Sequence, residues 1–395
     1  MADELSMRYG VNPHQASARC FGPDPMPLQV LNDSPSYINL MDALNSWQLV
    51  KELRAACSLP AAASFKHVSP AGAAVGVPLS DALSEALFAP PAGGGELQLS
   101  PLAAAYVRAR GADRMASYGD WIALSDRVDA STAQVIKAET SDGVIAPGYD
   151  EDALAILRKK KAGKYRILAI DPDFVPGSIE TRQLFGLTLE QHRNDFVPDR
   201  SFFDNVVTKR RELSEDARRD LTVATITVKY TQSNSVCLAL DGQVVGVGAG
   251  QQSRVHCVRL AADKADLWYL RQHPRVRSEL KFRKGIRRAE RDNAIDLFLQ
   301  DEIYAVERPS WLANFAEEPQ QLTHAEKRDW LAGLGAVALS SDAFLPFRDN
   351  IDRASRSGVE YIVQAGGSIM DEQVVAAADE YGMLMVNSGV RLFHH

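Results

Sequence analysis

Between Asn39 and Cys57 the apolar positions Leu40, Ala43, Leu44, Trp47, Val50, Leu53 and Cys57 recur every three or four residues, which predicts a helix with one buried face. The period then changes. Ala61 to Phe65 is a short run of small and apolar residues between Pro60 and the turn-forming stretch Ser69-Pro70-Ala71-Gly72, so it reads as a buried strand ending in Lys66-His67. Ser100-Pro101 predicts the start of another helix, with Gly111 just past its end and Arg108 and Arg110 in its last turn. Val144 to Ala146 predicts a strand, and the acids Asp150 to Asp152 open a helix over Ala153 to Lys161. The basic run Arg158 to Lys161 reads as a solvated helix end and not as a nucleic-acid patch.

Leu221 to Tyr230 is rich in β-branched residues and predicts a strand, while two apolar runs within Val236 to Val247 flank Asp241-Gly242, a two-residue hairpin signal. Helical patterns follow over Arg254 to Leu270 and Arg287 to Leu299, and Thr323-x-x-Glu326 is a capping box for a helix up to Gly333. Strands at Val337 to Ser340, Tyr361 to Val363 and Met383 to Val386 alternate with helical patterns after Pro346 and after Asp371. The alternation predicts a three-layer α/β protein with helices on both sheet faces. Ala61 to Gly72 and Ala336 to Phe347 echo one another, each an apolar strand running into a Pro-bearing turn, which points to two similar α/β halves. Pro90 to Gly95 predicts a surface loop.

With 395 residues, 46% of them hydrophobic, the chain can bury a core without a metal or disulfide staple. Its 51 acids against 44 Lys and Arg give a net charge of −7, which argues against broad binding to nucleic acid or an anionic membrane. No stretch approaches the roughly 18 apolar residues of a membrane span, and the acidic start MADELSMRYG is unlike a signal peptide, so a cytoplasmic protein is expected. Cys20, Cys57, Cys237 and Cys257 lie far apart with no C-x-x-C, so reduced, structural cysteines and no zinc knuckle are expected.

Lys66-His67 is the most informative pair. A histidine titrates near neutral pH and can serve as general base, and a neighbouring ammonium can stabilise developing negative charge. Such pairs also occur on inert surfaces, and the position at a buried strand end is what singles this one out. Gly246-Val247-Gly248-Ala249-Gly250 has the glycines of a dinucleotide loop, but it follows a hairpin and lacks the G-x-G-x-x-G spacing, so no nicotinamide cofactor is expected. Arg8-Tyr9 ahead of Asn12-Pro13-His14-Gln15, and Arg391 to His395, set arginines beside aromatics, which suits a phosphate and a flat heterocycle. From residue chemistry alone, plain terminal tails, the second ending in a tag remnant, are the favoured reading.

The blocks RYGVNPHQ (Arg8 to Gln15), SFKHVSPAGAAVG (Ser64 to Gly76), RARGADRMASYGD (Arg108 to Asp120) and SDGVIAPGY (Ser141 to Tyr149) continue in VKYTQSNSVC (Val228 to Cys237), GAGQQSRVHC (Gly248 to Cys257), SSDAFLPFRDN (Ser340 to Asn350) and RLFHH (Arg391 to His395). In this order they closely resemble the AICAR transformylase part of the bifunctional AICAR transformylase/IMP cyclohydrolase family. The resemblance covers essentially the whole chain and includes RLFHH, which removes the tag reading. It implies transfer of a formyl group from 10-formyltetrahydrofolate to the 5-amino group of AICAR, an imidazole carboxamide ribonucleotide. The products are FAICAR and tetrahydrofolate, a step of de novo purine (IMP) biosynthesis. It also implies a duplicated cytidine-deaminase-like three-layer αβα fold, with residues 1–177 plus 272–335 in one subdomain and 178–271 plus 336–395 in the other. The deaminase zinc signature, H-x-E with P-C-x-x-C, is missing, so no zinc is expected. Seven residues precede Arg8, so no cyclohydrolase domain is expected and ring closure falls to a separate protein.

Carried over by position, the resemblance makes His67 the general base and Lys66 the transition-state stabiliser. It sets Arg8, Tyr9 and Arg391 around the AICAR phosphate. Asn39, Gly119, Asp142 and Asn234, with Phe344 and Phe393, would contact ribose, carboxamide or ring. Val255, Pro346, Asp349, Ser368 and Ile369 map near the folate. Val228, Thr231, Ser233, Ser235, Asp342 and Leu392 match the ligands of a structural potassium ion, whose hard oxygen donors suit an alkali cation. The family's active sites lie at a homodimer interface, with the Lys-His and Asn234 segments from different subunits. Two alternatives stay open. One is a catalytically retired AICAR-binding sensor, against which both Lys66 and His67 speak. The other is a formylase using formate and ATP, against which the missing P-loop G-x-x-x-x-G-K-[ST] speaks.

Overall fold

The computed structural model describes residues 4–89 and 98–395; the predicted loop Pro90 to Gly95 lies outside them. Strands β1 (Glu4–Tyr9), β2 (Ala16–Phe21) and β3 (Leu28–Asn32) lead to helix α1 (Tyr37–Cys57). Then come β4 (Ala61–Lys66), β5 (Ser69–Val75), α2 (Asp81–Ala86), α3 (Pro101–Gly111), β6 (Asp120–Leu124), α4 (Ala130–Ala138), β7 (Ser141–Ala146), α5 (Glu151–Arg158) and β8 (Arg166–Ile170). A hairpin of β9 (Ile179–Leu184) and β10 (Leu187–His192) precedes α6 (Glu215–Lys229), β11 (Val236–Leu240), β12 (Gln243–Gly248) and α7 (Arg254–Leu270). Helices α8 (Arg288–Leu299), α9 (Arg308–Leu312) and α10 (His324–Leu331) lie in a segment with its own apolar cluster around Phe298 and Trp311. The chain closes with β13 (Val337–Ser341), α11 (Arg348–Ser355), β14 (Val359–Gln364), α12 (Asp371–Glu380) and β15 (Leu384–Asn387).

Eleven strands form one sheet in the order β15-β14-β13-β11-β12-β5-β4-β6-β7-β8-β3. Helices α1 and α6 pack on one face, and α3, α4, α5, α7, α11 and α12 on the other, which makes three layers. Each flank of the sheet repeats one scheme. A hairpin's first strand pairs antiparallel with the next strand of its flank, and two parallel pairings follow: β5-β4-β6-β7-β8 on one side and β12-β11-β13-β14-β15 on the other. The flanks meet where β12 runs antiparallel to β5, with Gln243 opposite Ala74. In this scheme β13 takes the place of β6, so the sequence echo between Ala61 to Gly72 and Ala336 to Phe347 joins strands that do not correspond.

The β-branched run Leu221 to Tyr230 lies almost wholly in α6 and is not a strand. Its start signals lie upstream, where the Ser214 hydroxyl accepts from Ala217 N at 3.2 Å and Glu215 and Asp216 occupy the first turn. Within the helix Thr222 and Thr227 donate to the carbonyls of Arg218 and Val223, at 2.8 and 2.7 Å, so their hydroxyls are satisfied without a ladder. Leu221 to Tyr230 are all buried, packed by the sheet, α1 and the rings of Phe196 and Phe203, so no exposed polar face marks the helical period.

The stretch Ser69 to Gly72 is likewise no turn. It opens β5, and the chain reverses one step earlier, at His67-Val68, between the paired residues Lys66 and Ser69. Pro70 is tolerated because β12 pairs with β5 only near Ala74. Gly72 serves packing: a Cβ there would lie 2.1 Å from the Ala109 carbonyl of α3, as one on Gly246 would lie 2.0 Å from that of Ala261 in α7. The glycines of the would-be nucleotide loop thus let a helix approach the sheet.

Candidate active site

One edge of the sheet gathers the end of β4, the starts of β5, β6, β7 and β11, and the ends of β12, β13, β14 and β15. Nearly all candidate residues lie there.

On the first flank, His67 (φ 52°) and Val68 (φ 61°) both occupy the left-handed region, where a β-branched residue such as Val68 is strained by about 1 to 3 kcal/mol. Val68 N donates to Asp42 Oδ1 at 2.7 Å, which ties the turn to α1. Lys66 Nζ donates to the Tyr118 carbonyl at 2.6 Å, just before Gly119. The 117–120 segment is itself clamped. Arg110 donates to the Ser117 carbonyl at 2.6 Å and to Asp120 at 2.7 Å, and Ser64 donates to the other Asp120 oxygen at 2.7 Å. Arg110, read from sequence as a helix-end cation, is therefore a buried strut.

Asn39 lies one turn before Asp42 on α1, where its Oδ1 accepts from Ser36 N at 3.1 Å in a capping box. Asp142 opens β7 and pairs with Lys161 at 2.8 Å, while Lys160 donates to the Glu139 carbonyl. Burial lowers the Lys160 ammonium to about 8, so this basic run contributes tertiary bonds and is more than a solvated helix end. Burial raises the Asp42 carboxyl to about 6, against the bond from Val68 and the attraction of His67, with Asp142 adding to the rise.

On the second flank Asn234 exchanges backbone bonds with Gln251, and its Oδ1 accepts from Arg254 at 3.2 Å. Arg254 also donates to Asp342 Oδ1, while Asp342 Oδ2 accepts from Ser233 Oγ at 2.7 Å and Ser235 N at 2.9 Å. The Asp342 carbonyl takes Leu392 N at 2.8 Å, and Ser233 N donates to the His394 carbonyl at 3.0 Å. These bonds dock the residues that carry Arg391 and Phe393, and the Arg391 guanidinium lies 4.6 Å from the Phe393 ring centre.

Ser233, Ser235 and Leu392 thus cluster on Asp342, and Thr231 N bonds the Val228 carbonyl at 3.0 Å. Because Arg254 already balances the Asp342 charge, the remaining donors are neutral hydroxyl and carbonyl oxygens, which fit a monovalent cation better than a divalent one. At this edge Gln232 N of the second flank donates to Ser69 Oγ of the first at 3.4 Å.

The folate candidates follow the ends of β13 and β14. Gln364 bridges them, accepting from Leu345 N at 2.6 Å and donating to Asn387 at 3.0 Å. Around this bridge Phe344 and Ile369 are solvent-exposed, Pro346 and Ser368 are half-buried, and Asp349 accepts from Asn350 in the first turn of α11. Val255 follows Arg254 on α7. Arg8 and Tyr9 stand apart on β1 of a separate hairpin, with no side-chain hydrogen bond to the other candidates among the described residues.

Asp42, Arg254 and Gln364 escape the sequence reading. Asp42 carries a signal, a carboxylate inside the apolar stripe of α1, and Arg254 directly follows the polar stretch Gln251 to Ser253.

Open α/β sheets bind ligands outside their strand ends, and this edge, with ionisable groups from both flanks, is the candidate polar ligand site of an α/β protein. The chain belongs to the AICARFT/IMPCHase bienzyme family, whose sequence pattern matches residues 1–264. It is 33% identical over 400 residues to the bifunctional purine biosynthesis protein PurH of Magnetococcus marinus, covering 98% of this chain and 59% of that protein. The PurH proteins of Xylella fastidiosa and Cereibacter sphaeroides are 31% and 32% identical, over 98% and 99% of this chain and 58% and 59% of their own lengths. The chain therefore spans under two thirds of these relatives. No helix among the described residues is long and apolar enough to cross a membrane.

Proposed function

We propose that this cytoplasmic protein transfers the formyl group of 10-formyltetrahydrofolate to the 5-amino group of AICAR, giving FAICAR and tetrahydrofolate. The observation that carries the proposal is the Lys66-His67 turn, anchored on both sides and set on the edge shared with Asn234 and Arg391. The AICAR amine is a poor nucleophile because its lone pair is delocalised into ring and carboxamide. His67 takes the N–H proton as the nitrogen bonds the formyl carbon. Lys66 has three N–H donors, one of them on the Tyr118 carbonyl, which leaves two for the oxyanion of the tetrahedral intermediate. The bond from the formyl carbon to the folate nitrogen then breaks, and His67 returns the proton to that nitrogen. A donor aimed at the oxyanion is worth about 3 kcal/mol of barrier.

In this reading Arg8, Tyr9 and Arg391 hold the phosphate. Asn39, Gly119, Asp142, Asn234, Phe344 and Phe393 hold the rest of AICAR, and the folate lies against Val255, Pro346, Asp349, Ser368 and Ile369. A potassium ion on Val228, Thr231, Ser233, Ser235, Asp342 and Leu392 would brace the Asn234 segment. The repeated flank scheme supports a duplicated cytidine-deaminase-like fold divided as 1–177 plus 272–335 and 178–271 plus 336–395. Hairpin β9–β10 exposes Leu184, Phe185, Leu187 and Leu189, which supports a homodimer with active sites at the interface. Ring closure to IMP is assigned to a site outside these residues.

His67→Ala is expected to lower formyl transfer at least about 100-fold while calorimetric AICAR affinity stays the same; turnover at the normal rate in this variant would overturn the role. Mixing inactive His67→Ala and Asn234→Ala chains should restore activity through hybrid dimers, whereas no recovery with hybrids formed means single-chain sites. These 395 residues, expressed alone, should release FAICAR and form no IMP. Tight binding of a folate analogue without ATP separates this reading from a formate-dependent one.

A further inference from the structure

Asp42 is used by none of the steps above, yet it is a buried carboxylate, 7% exposed, bonded directly to the turn that carries His67. Its counterpart on the second flank shows what such an aspartate can do. Asp220 of α6, the helix that precedes the second hairpin as α1 precedes the first, accepts from Asp241 N and Gly242 N, each at 2.7 Å. Arg219 donates to it at 3.0 Å. Both Asp220 oxygens are thus engaged and its charge is matched. Asp42 accepts only from Val68 N, and its second oxygen has no hydrogen-bond partner among the described residues. The His67 imidazole is exposed and likewise has no hydrogen-bond partner among them.

The other charged groups around this turn are already committed. Asp142 of β7 pairs with Lys161, and the Lys66 ammonium of β4 is turned onto the Tyr118 carbonyl. The interaction left to Asp42 is with His67, and the two attract when the imidazole is protonated.

We infer that Asp42 is a positioning residue for His67: it holds the strained turn through the Val68 amide and keeps a negative charge beside the imidazole, favouring the imidazolium formed when His67 accepts the amine proton. The inference rests on the formyl-transfer reading for its catalytic part. The proton moves from the AICAR nitrogen to His67 and later to the folate nitrogen, while Asp42 stays ionised throughout.

Asp42→Asn separates the two roles, because its amide oxygen still accepts from Val68 N but carries no charge. In protein labelled with 15N-histidine, with the His67 signal assigned by its loss in His67→Gln, the His67 titration midpoint is expected to lie lower in Asp42→Asn than in wild type. The kcat for formyl transfer should fall about tenfold with the KM for AICAR unchanged. The acid limb of the kcat/KM profile should move with the His67 midpoint. An unmoved midpoint overturns the inference, and so does a moved midpoint with unchanged kcat. If the wild-type protein transfers no formyl group, the formyl-transfer reading falls, and the titration still decides whether Asp42 sets the charge of His67.

Discussion

The two hairpin turns of the sheet occupy matching places and differ in how they tolerate the same backbone. Each has two central residues with positive φ, His67 and Val68 at 52° and 61°, Asp241 and Gly242 at 51° and 72°. Asp-Gly adopts this geometry readily, and Asp220, its charge matched by Arg219, fastens it with two bonds. His-Val does not, and one bond, donated by Val68 N to Asp42, holds it. The difference lies in what each turn is for. The second turn only closes a hairpin, so its residues follow turn chemistry. The first must present an imidazole, so local preference yields to position and the neighbouring helix supplies the restraint.

The largest test of this contrast is Asp220→Ala, which leaves two turn amides and Arg219 without their carboxylate. It should cost about 4 kcal/mol, read as a lower urea midpoint. Asp42→Ala, which breaks one bond but also removes a carboxylate that burial disfavours in its ionised form, should cost far less at neutral pH; equal losses would mean that the two turns are fastened alike. Next comes Asp42→Asn, which should stabilise the protein. A carboxyl raised by burial to about 6 is disfavoured in its ionised form by about 3 kcal/mol relative to the unfolded chain. Wild type loses that stability as pH rises through 4 to 6, so the variant should lead by about 3 kcal/mol at pH 8 and converge with wild type below pH 4. Melting curves across this range check the sign, and a gain that persists at pH 3 would refute it.

Smaller is Gly242→Ala, where a Cβ would lie 2.8 and 2.9 Å from the Val77 and Val75 methyls at a positive φ. A loss of about 2 kcal/mol is expected by chemical denaturation. Smallest is Val68→Gly, which relieves strain but loosens the unfolded chain. Stability should stay within about 1 kcal/mol of wild type, while formyl transfer slows several-fold because His67 is held less firmly. A rate at the wild-type level would show that the strain has no part in placing His67.

What the sequence reveals divides along the same line. Helix α1, the Asp241-Gly242 hairpin and the closing βαβ alternation are legible because period, cap and turn chemistry agree there. Helix α6 is not, because Leu221 to Tyr230 are all buried, which removes the exposed polar face that would reveal its period. The reversal at His67-Val68 is hidden for a different reason: neither residue favours it, and the nearby Pro-Ala-Gly draws the eye to residues that begin a strand. The Lys66-His67 block is visible as a motif. Its anchors Asp42 and Tyr118 lie elsewhere in the chain, and only the packed α1 and the clamped 117–120 segment bring them near.

The seam between the flanks has a consequence for how the molecule assembles. Strands β4 to β8 are drawn from residues 61–170 and β11 to β15 from residues 236–387, so each set can pair through contacts nearer in sequence than those across the seam. Closing β12 on β5 encloses a long stretch of chain and, in the described strands, is registered at Gln243 and Ala74, with Arg108 reaching from α3 to Asp241. Long-range closures carry the larger entropy cost and form late. In pulse-labelling hydrogen exchange during refolding, amides inside each flank should gain protection before those at the seam, and the shared edge would come into being only with that last step.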